Sequence, residues 1–166
     1  VVAILVPLCA FTAQGATVSP RAVASTLPAA AAMFAMMLAV EYPDLAADAA
    51  GGKANLVVRL GAGAARPLGV AFVAAVYGAL ALALAAGAPP AFLLCEAISL
   101  PLGLGLALAF ARRIGATAVG DENLAARGVA FFFIVMLCGL LAFAAAPGAR
   151  GAASATIRTE PVVLGT

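Results

Sequence analysis

The sequence predicts an all-α fold, a polytopic bundle of transmembrane helices, on three observations. Of its 166 residues, 66% are hydrophobic and only 10% are charged, with a mean hydropathy of +1.17. A water-soluble domain must cover itself with polar groups, and this composition does not supply them. The apolar residues also fall in runs of the length a helix needs, about 20 residues, to cross roughly 30 Å of hydrocarbon. Finally, the breaks between the runs hold most of the charge. The net charge is +2 and histidine is absent, which excludes a nucleic-acid-binding face and a histidine metal cluster.

Each expected element follows from its own residues. Residues 1–13 ("VVAILVPLCAFTA") are apolar but short, and they begin without methionine. They have neither the basic start nor the cleavage site of a signal peptide. The expected reading is a transmembrane helix whose first part precedes this sequence, so the chain reads as a fragment. Residues 22–42 form the next span, with a kink expected at Pro28. Residues 69–87, 91–111 and 128–146 supply three more. Together they make a transmembrane helical domain over 1–146. The tail, 147–166, is small, polar and without hydrophobic pattern, and is expected to be disordered.

Alternation of the spans puts the stretch after residue 42 and the 112–127 loop on one side. That side carries Lys53, Arg59, Arg66, Arg112, Arg113 and Arg127, whereas the other carries Arg21, Arg150 and Arg158. The positive-inside rule then places residues 43–66 on the cytoplasmic side of the cell inner membrane. Cys9, Cys95 and Cys138 stand alone within apolar runs, without the spacing of a zinc or redox site, and are expected to be buried inert thiols.

One stretch breaks the apolar pattern. "EYPDLAADAAGGKANLVVRLG", residues 41–61, holds Glu41, Asp44, Asp48, Lys53 and Arg59. Pro43 suits the first turn of a new helix better than the continuation of an old one. A short helix from Pro43 to about Ala50 is therefore expected, stopped by Gly51 and Gly52. Asp44 and Asp48, four residues apart, share one face of it. Lys53 and Arg59 are expected on a loop that folds back over the carboxylates. Two carboxylates beside open space are hard ligands for Mg²⁺, which keeps the rest of its shell for water and phosphate oxygens. A lysine point charge and an arginine fork suit the same phosphates. Glu41 is a third candidate ligand, its direction set by the kink at Pro43.

These residues, in the order E-x-x-D-x-x-x-D-x-x-x-x-K followed by L-x-V-R-L-G, resemble the second aspartate-rich motif of the UbiA family of intramembrane prenyltransferases. The likeness is greatest to the dihydroxynaphthoate prenyltransferase branch, which serves menaquinone synthesis, a quinone-biosynthesis pathway. The resemblance implies a nine-helix membrane fold of which this chain is the C-terminal part. It implies that Asp44 and Asp48 are metal ligands and catalytic, with Glu41 beside them, and that Lys53 and Arg59 contact the diphosphate. The implied activity is Mg²⁺-dependent transfer of an isoprenyl group from an isoprenyl diphosphate to an aromatic or other lipophilic acceptor. Metal and cations would stabilise the departing diphosphate, while the apolar helices sheath the isoprenoid tail within the lipid bilayer. The family's other motif, N-D-x-x-D-x-x-x-D, is not among the 166 residues, so the chain alone is expected to be inactive.

Other polar residues have weaker patterns. Glu96 lies about 9 Å into its span, where a carboxylate is costly and often functional. Near a helix end it can instead reach the interface, be neutral or bond to a neighbour such as Ser99, and these readings are preferred to a role in acceptor binding. Asp121 and Glu122 read as a solvated loop, and Gln14 as a polar connection. Pro101, Gly103 and Gly105 suit a kink and close helix packing. "GAGAARPLG", 61–69, lacks the strand and spacing of a phosphate loop and reads as the start of a span. Two other functions compete. The pattern of the CDP-alcohol phosphotransferases is absent. A transporter or channel fragment with a charged cytoplasmic loop would be expected to carry its charges deeper in the bilayer.

Overall fold

The computed structural model describes residues 2–13, 18–112 and 122–144, all of whose regular elements are helices. In chain order these are α1 (Val2–Ala13), α2 (Pro20–Glu41), α3 (Leu45–Ala50), α4 (Leu56–Ala85), α5 (Ala91–Ala111) and α6 (Glu122–Ala144). The expectations for the tail 147–166, Gln14, Arg113, Asp121, Arg150 and Arg158 fall outside the described residues, as do the side chains of Cys95, Glu96 and Glu122.

Among the described residues, three helices are long and apolar enough to cross a membrane: Pro20–Glu41, Leu56–Ala85 and the Asn123–Ala142 part of α6. Helix α5 has 21 residues, of which Ala97–Ala111 form a shorter apolar stretch. The outward faces are apolar as well, with Leu94 69% exposed, Leu140 63% and Phe133 62%. A soluble protein would reverse this arrangement, so the chain is an integral multi-pass membrane protein.

Helix α2 begins where the sequence supplies its own cap. Ser19 is extended (φ −114°, ψ 160°), its Oγ accepts from the Ala22 N–H at 3.1 Å, and Pro20 takes the first helical position, where it needs no donor. The helix runs on through Pro28, which lies buried within it. Helix α4 starts at Leu56, thirteen residues before the expected span, but Gly61 (φ 70°, ψ 165°) interrupts its helical geometry. Residues 56–60 therefore form a short helical piece at the mouth of the long one. Helix α6 likewise begins at Glu122, six residues ahead of expectation.

Small residues set the spacing of the bundle. Ala22, Ala24, Ala30, Ala32, Ala35 and Ala39 are the buried alanines of α2, which lets α4 and α6 come close along it. At Gly128 of α6 a Cβ would lie 2.5 Å from the Ala39 Cβ and 3.3 Å from the Met36 Cα. A Cβ on Gly69 of α4 would lie 2.7 Å from the Phe110 ring of α5. Gly103 of α5 packs against the Tyr77 hydroxyl and, at 3.0 Å for an added Cβ, the Phe131 ring. Gly105, expected to do the same, has open space there. Phe34 and Phe72 stack across α2 and α4 with centroids 5.0 Å apart. The larger core, with Leu38, Tyr42, Val57, Phe110 and Phe131, extends to the end of the bundle that carries α3. A second cluster around Leu80, Ala83, Phe92 and Cys138 fills the opposite end.

Candidate functional site

The charged stretch is built as a turn, a short helix and a second turn between α2 and α4. Helix α2 closes at Glu41, with the Tyr42 N–H bonded to the Leu38 carbonyl at 3.0 Å. Pro43 and Asp44 make the corner, and α3 begins at Leu45, two residues later than the sequence suggests. Asp44 is exposed, and its side chain does not cap α3. The Asp48 N–H still bonds to the Asp44 carbonyl at 2.8 Å, so the two aspartates keep the one-turn relation expected of them.

Gly51 and Gly52 then end α3 in a Schellman turn. Gly52 takes φ 72°, which glycine adopts without a Cβ penalty. Its N–H bonds to the Ala49 carbonyl at 3.2 Å, and the Lys53 N–H reaches back to the Asp48 carbonyl at 2.9 Å. That last bond sets Lys53 over Asp48. The Lys53 ammonium donates to Asp48 Oδ1 at 2.6 Å. From the other side, Asn55 Nδ2 donates to Asp48 Oδ2 at 2.8 Å. Asn55 also starts α4, because its Oδ1 accepts from the Val58 N–H at 2.8 Å. One amide side chain therefore ties the Asp48 carboxylate to the first turn of the next helix.

Burial divides the groups sharply. Asp48 is 7% exposed, which a carboxylate tolerates only when its oxygens are satisfied, as both are here. The Lys53 side chain is 67% exposed. The hydrogen bond and charge of Asp48 hold the Lys53 ammonium above its ordinary pKa of 10.5. Slight desolvation pulls down, and the charges of Asp44 and then Glu41 add smaller upward pushes. All three carboxylates thus act on one cation. Even so, among the described residues no three Asp, Glu or Cys side chains come together as a metal-ligand set, so Glu41 does not join Asp44 and Asp48 in one.

Arg59 departs from the expectation of a loop. It lies on the helical piece 56–60, exposed, with its N–H bonded to the Asn55 carbonyl at 3.1 Å. Among the described residues Lys53–Asp48 is the ion pair at this end, so only Lys53 of the two expected cations folds back onto a carboxylate. Arg66 has a structural task that the sequence did not reveal. Its Nε donates to the Phe110 carbonyl at 3.1 Å and its Nη2 to the Ala111 carbonyl at 3.2 Å, closing the end of α5. Arg127 of α6 reaches the Gly105 carbonyl at 3.4 Å.

Asn55 is the site residue that pattern reading passed over. Its signal was present: an asparagine directly before an apolar run marks a helix start. For a magnesium ion, the donor chemistry here fits a two-carboxylate arrangement. Asp44 and Asp48 offer hard oxygens one turn apart, and the remaining ligands would be water and phosphate oxygens. Comparison of the chain with protein-family models, with curated proteins and with solved structures finds no match in any of the three. The likeness of residues 41–61 to an aspartate-rich prenyltransferase motif stands on those residues alone.

Proposed function

We propose that this chain carries one half of the diphosphate site of a Mg²⁺-dependent isoprenyl transferase, the C-terminal part of a nine-helix membrane enzyme. One observation carries the reading. Asp44, Asp48 and Lys53 gather on a single glycine-closed turn at the end of an apolar bundle, with Arg59 on the first helical piece beyond it. Charged groups gathered at one end of an apolar bundle are candidates for the site of a charged ligand, and the exposed Asp44 beside the satisfied Asp48 leaves a carboxylate open to one.

In this reading Asp44 and Asp48 hold the metal, while Lys53 and Arg59 bind the diphosphate from the cytoplasmic side. Bound magnesium would supply Lewis-acid stabilisation of the charge that develops on the departing diphosphate. The chain's own part is to orient that diphosphate and to present apolar helix faces that exclude water from the reacting isoprenoid. Asn55 holds Asp48 in place against the start of α4. The acceptor is an aromatic or other lipophilic molecule, as in quinone biosynthesis. Transfer is expected only where a second aspartate-rich motif supplies the other half of the metal set. The transporter alternative has less support, because the charged groups follow the end of α2 instead of interrupting it.

The test is equilibrium binding of a radiolabelled isoprenyl diphosphate to the purified chain in micelles. Binding should require Mg²⁺ and should weaken at least about tenfold in Asp44→Asn and in Asp48→Asn, as expected for lost charge-assisted contacts. Binding that ignores both the metal and the two substitutions would remove the reading.

A further inference from the structure

Asp48 is already occupied by groups of its own chain. Lys53 Nζ sits on Oδ1 at 2.6 Å and Asn55 Nδ2 on Oδ2 at 2.8 Å. A divalent cation approaching Oδ1 therefore meets a fixed ammonium charge at the same oxygen. The two donors differ in what could move them. Asn55 is bound at both ends of its amide, to Asp48 and to the Val58 N–H, so leaving would uncap α4. Lys53 follows Gly52, is 67% exposed, and has Asp48 as its one ion-pair partner among the described residues. Its side chain can swing outward while its backbone N–H stays on the Asp48 carbonyl.

We propose that Lys53 is a built-in counter-cation that guards Asp48, and that diphosphate draws it away so that metal and anion bind as a coupled pair. This rests on the metal-and-diphosphate reading above and adds a rule to it. A multiply charged phosphate offers Lys53 more acceptor oxygens than one carboxylate does. As the ammonium turns to the phosphate, Oδ1 loses its resident charge, and the cation that neutralises the phosphate takes that place. The site then responds to a magnesium-complexed diphosphate and weakly to free Mg²⁺. Each ligand raises the affinity of the other, as reciprocal coupling requires. Asn55 meanwhile keeps Asp48 aimed, so the exchange costs no rearrangement of α3.

The experiment uses the fact that Lys53 is the only lysine in the sequence. Lysine labelled with ¹⁵N gives one side-chain ammonium signal, and calorimetry gives Mg²⁺ affinity without any anion. Wild type is compared with Lys53→Met and with Arg112→Met, which removes the same charge from the end of α5. Expected is Mg²⁺ affinity about threefold or more higher in Lys53→Met, in the range of a relieved partly exposed ion pair, and unchanged in Arg112→Met. Inorganic pyrophosphate with Mg²⁺ should move the wild-type ammonium signal, and Mg²⁺ alone at the same concentration should not.

Equal Mg²⁺ affinity in wild type and Lys53→Met, or an equal rise in Arg112→Met, would overturn the guard while leaving the metal site standing. No Mg²⁺ binding in any of the three, together with an ammonium signal unmoved by magnesium pyrophosphate, would overturn both. Should Lys53→Met not purify, Lys53→Gln takes its place under the same criteria.

Discussion

The chain ends two of its helices with the same backbone device and gives the two turns different chemistry. After α3, Gly52 at φ 72° lets the Lys53 N–H reach the Asp48 carbonyl at 2.9 Å. After α4, Gly87 at φ 87° lets the Ala88 N–H reach the Ala83 carbonyl, also at 2.9 Å. In the second turn the two positions brought together are alanines, both buried, and two prolines lead on into α5. In the first they are an aspartate and a lysine, and the hydrogen bond between backbones becomes the base of an ion pair. The turn itself is therefore generic, and its side chains decide what it brings together. A Schellman turn always places its first and sixth residues side by side. Carboxylate and ammonium at those positions meet without any further folding.

If the side chains carry that difference, their loss should matter most. In a chain that supplies both aspartate-rich motifs, Asp44→Asn is expected to lower prenyl transfer by about 100-fold or more, the scale seen when a group stabilising developing charge is removed. Product formation per mole of protein, with and without added Mg²⁺, is the readout. Asp44 is exposed and caps nothing, so folding should be untouched. Retained transfer would place the two turns on an equal footing.

A matched pair of glycine substitutions separates backbone from side chain. Gly52→Val and Gly87→Val each force a β-branched residue into left-handed geometry, at a cost of about 1–2 kcal/mol. Neither meets a steric block, since a Cβ at Gly52 has nothing within 4 Å and one at Gly87 has only the Arg21 Cδ at 3.8 Å. Unfolding in mixed micelles should therefore report similar losses for both. Only Gly52→Val should also shift the Lys53 ammonium signal and weaken binding of the isoprenyl diphosphate. A binding defect from Gly87→Val would mean that the far turn contributes more than an end to α4.

How far the sequence disclosed this arrangement depended on the range of the interaction. The all-helical membrane fold was legible because hydropathy is summed over some twenty residues. The stop at Gly51 and Gly52 was legible because it is local, and so was the one-turn spacing of Asp44 and Asp48. Hydropathy placed the start of α4 at the span, whereas the helix begins earlier, at a polar cap, and bends at Gly61. Arg59 was drawn onto a loop by the same error. The close approaches of Gly128 to Ala39, and of Gly69 to Phe110, join residues 89 and 41 positions apart, which no local pattern encodes. The Arg66 contacts with the end of α5 span 44 and 45 positions. Asn55 was missed for another reason, since its contact with Asp48 depends on a turn whose geometry precedes it.

Asn55 offers a smaller test of the first turn. Asn55→Ala removes the α4 cap and one donor to the buried Asp48, so it should destabilise the chain by at least about 1 kcal/mol, the cap's share, and should weaken binding of the isoprenyl diphosphate. Asn55→Ser keeps a capping oxygen but is too short for the reach to Asp48. Stability should recover only by the cap's share in the serine variant, measured in the same micelle unfolding assay, because Asp48 Oδ2 still lacks its donor, and the weakened binding should remain. Recovery of both would reduce Asn55 to a cap, with nothing to distinguish its turn from the one at Gly87.

The smallest effect is electrostatic and has a definite sign. Lys53 has a folded pKa raised above 10.5, chiefly by its hydrogen bond to Asp48 and that residue's charge. A raised lysine contributes stability fully below 10.5 and loses it as pH climbs through the folded value. Between neutral pH and 10.5 the pair's contribution is therefore flat, and any dependence appears only above that. Asp48→Asn should bring the titration midpoint of the single lysine, followed by its side-chain carbon and nitrogen shifts, down towards 10.5. What remains is the downward pull of desolvation set against the smaller upward pushes of Asp44 and Glu41. A midpoint unmoved by the substitution would show that Lys53 leaves Asp48 in the bilayer-bound chain. The two turns would then differ in composition but not in the contacts they make.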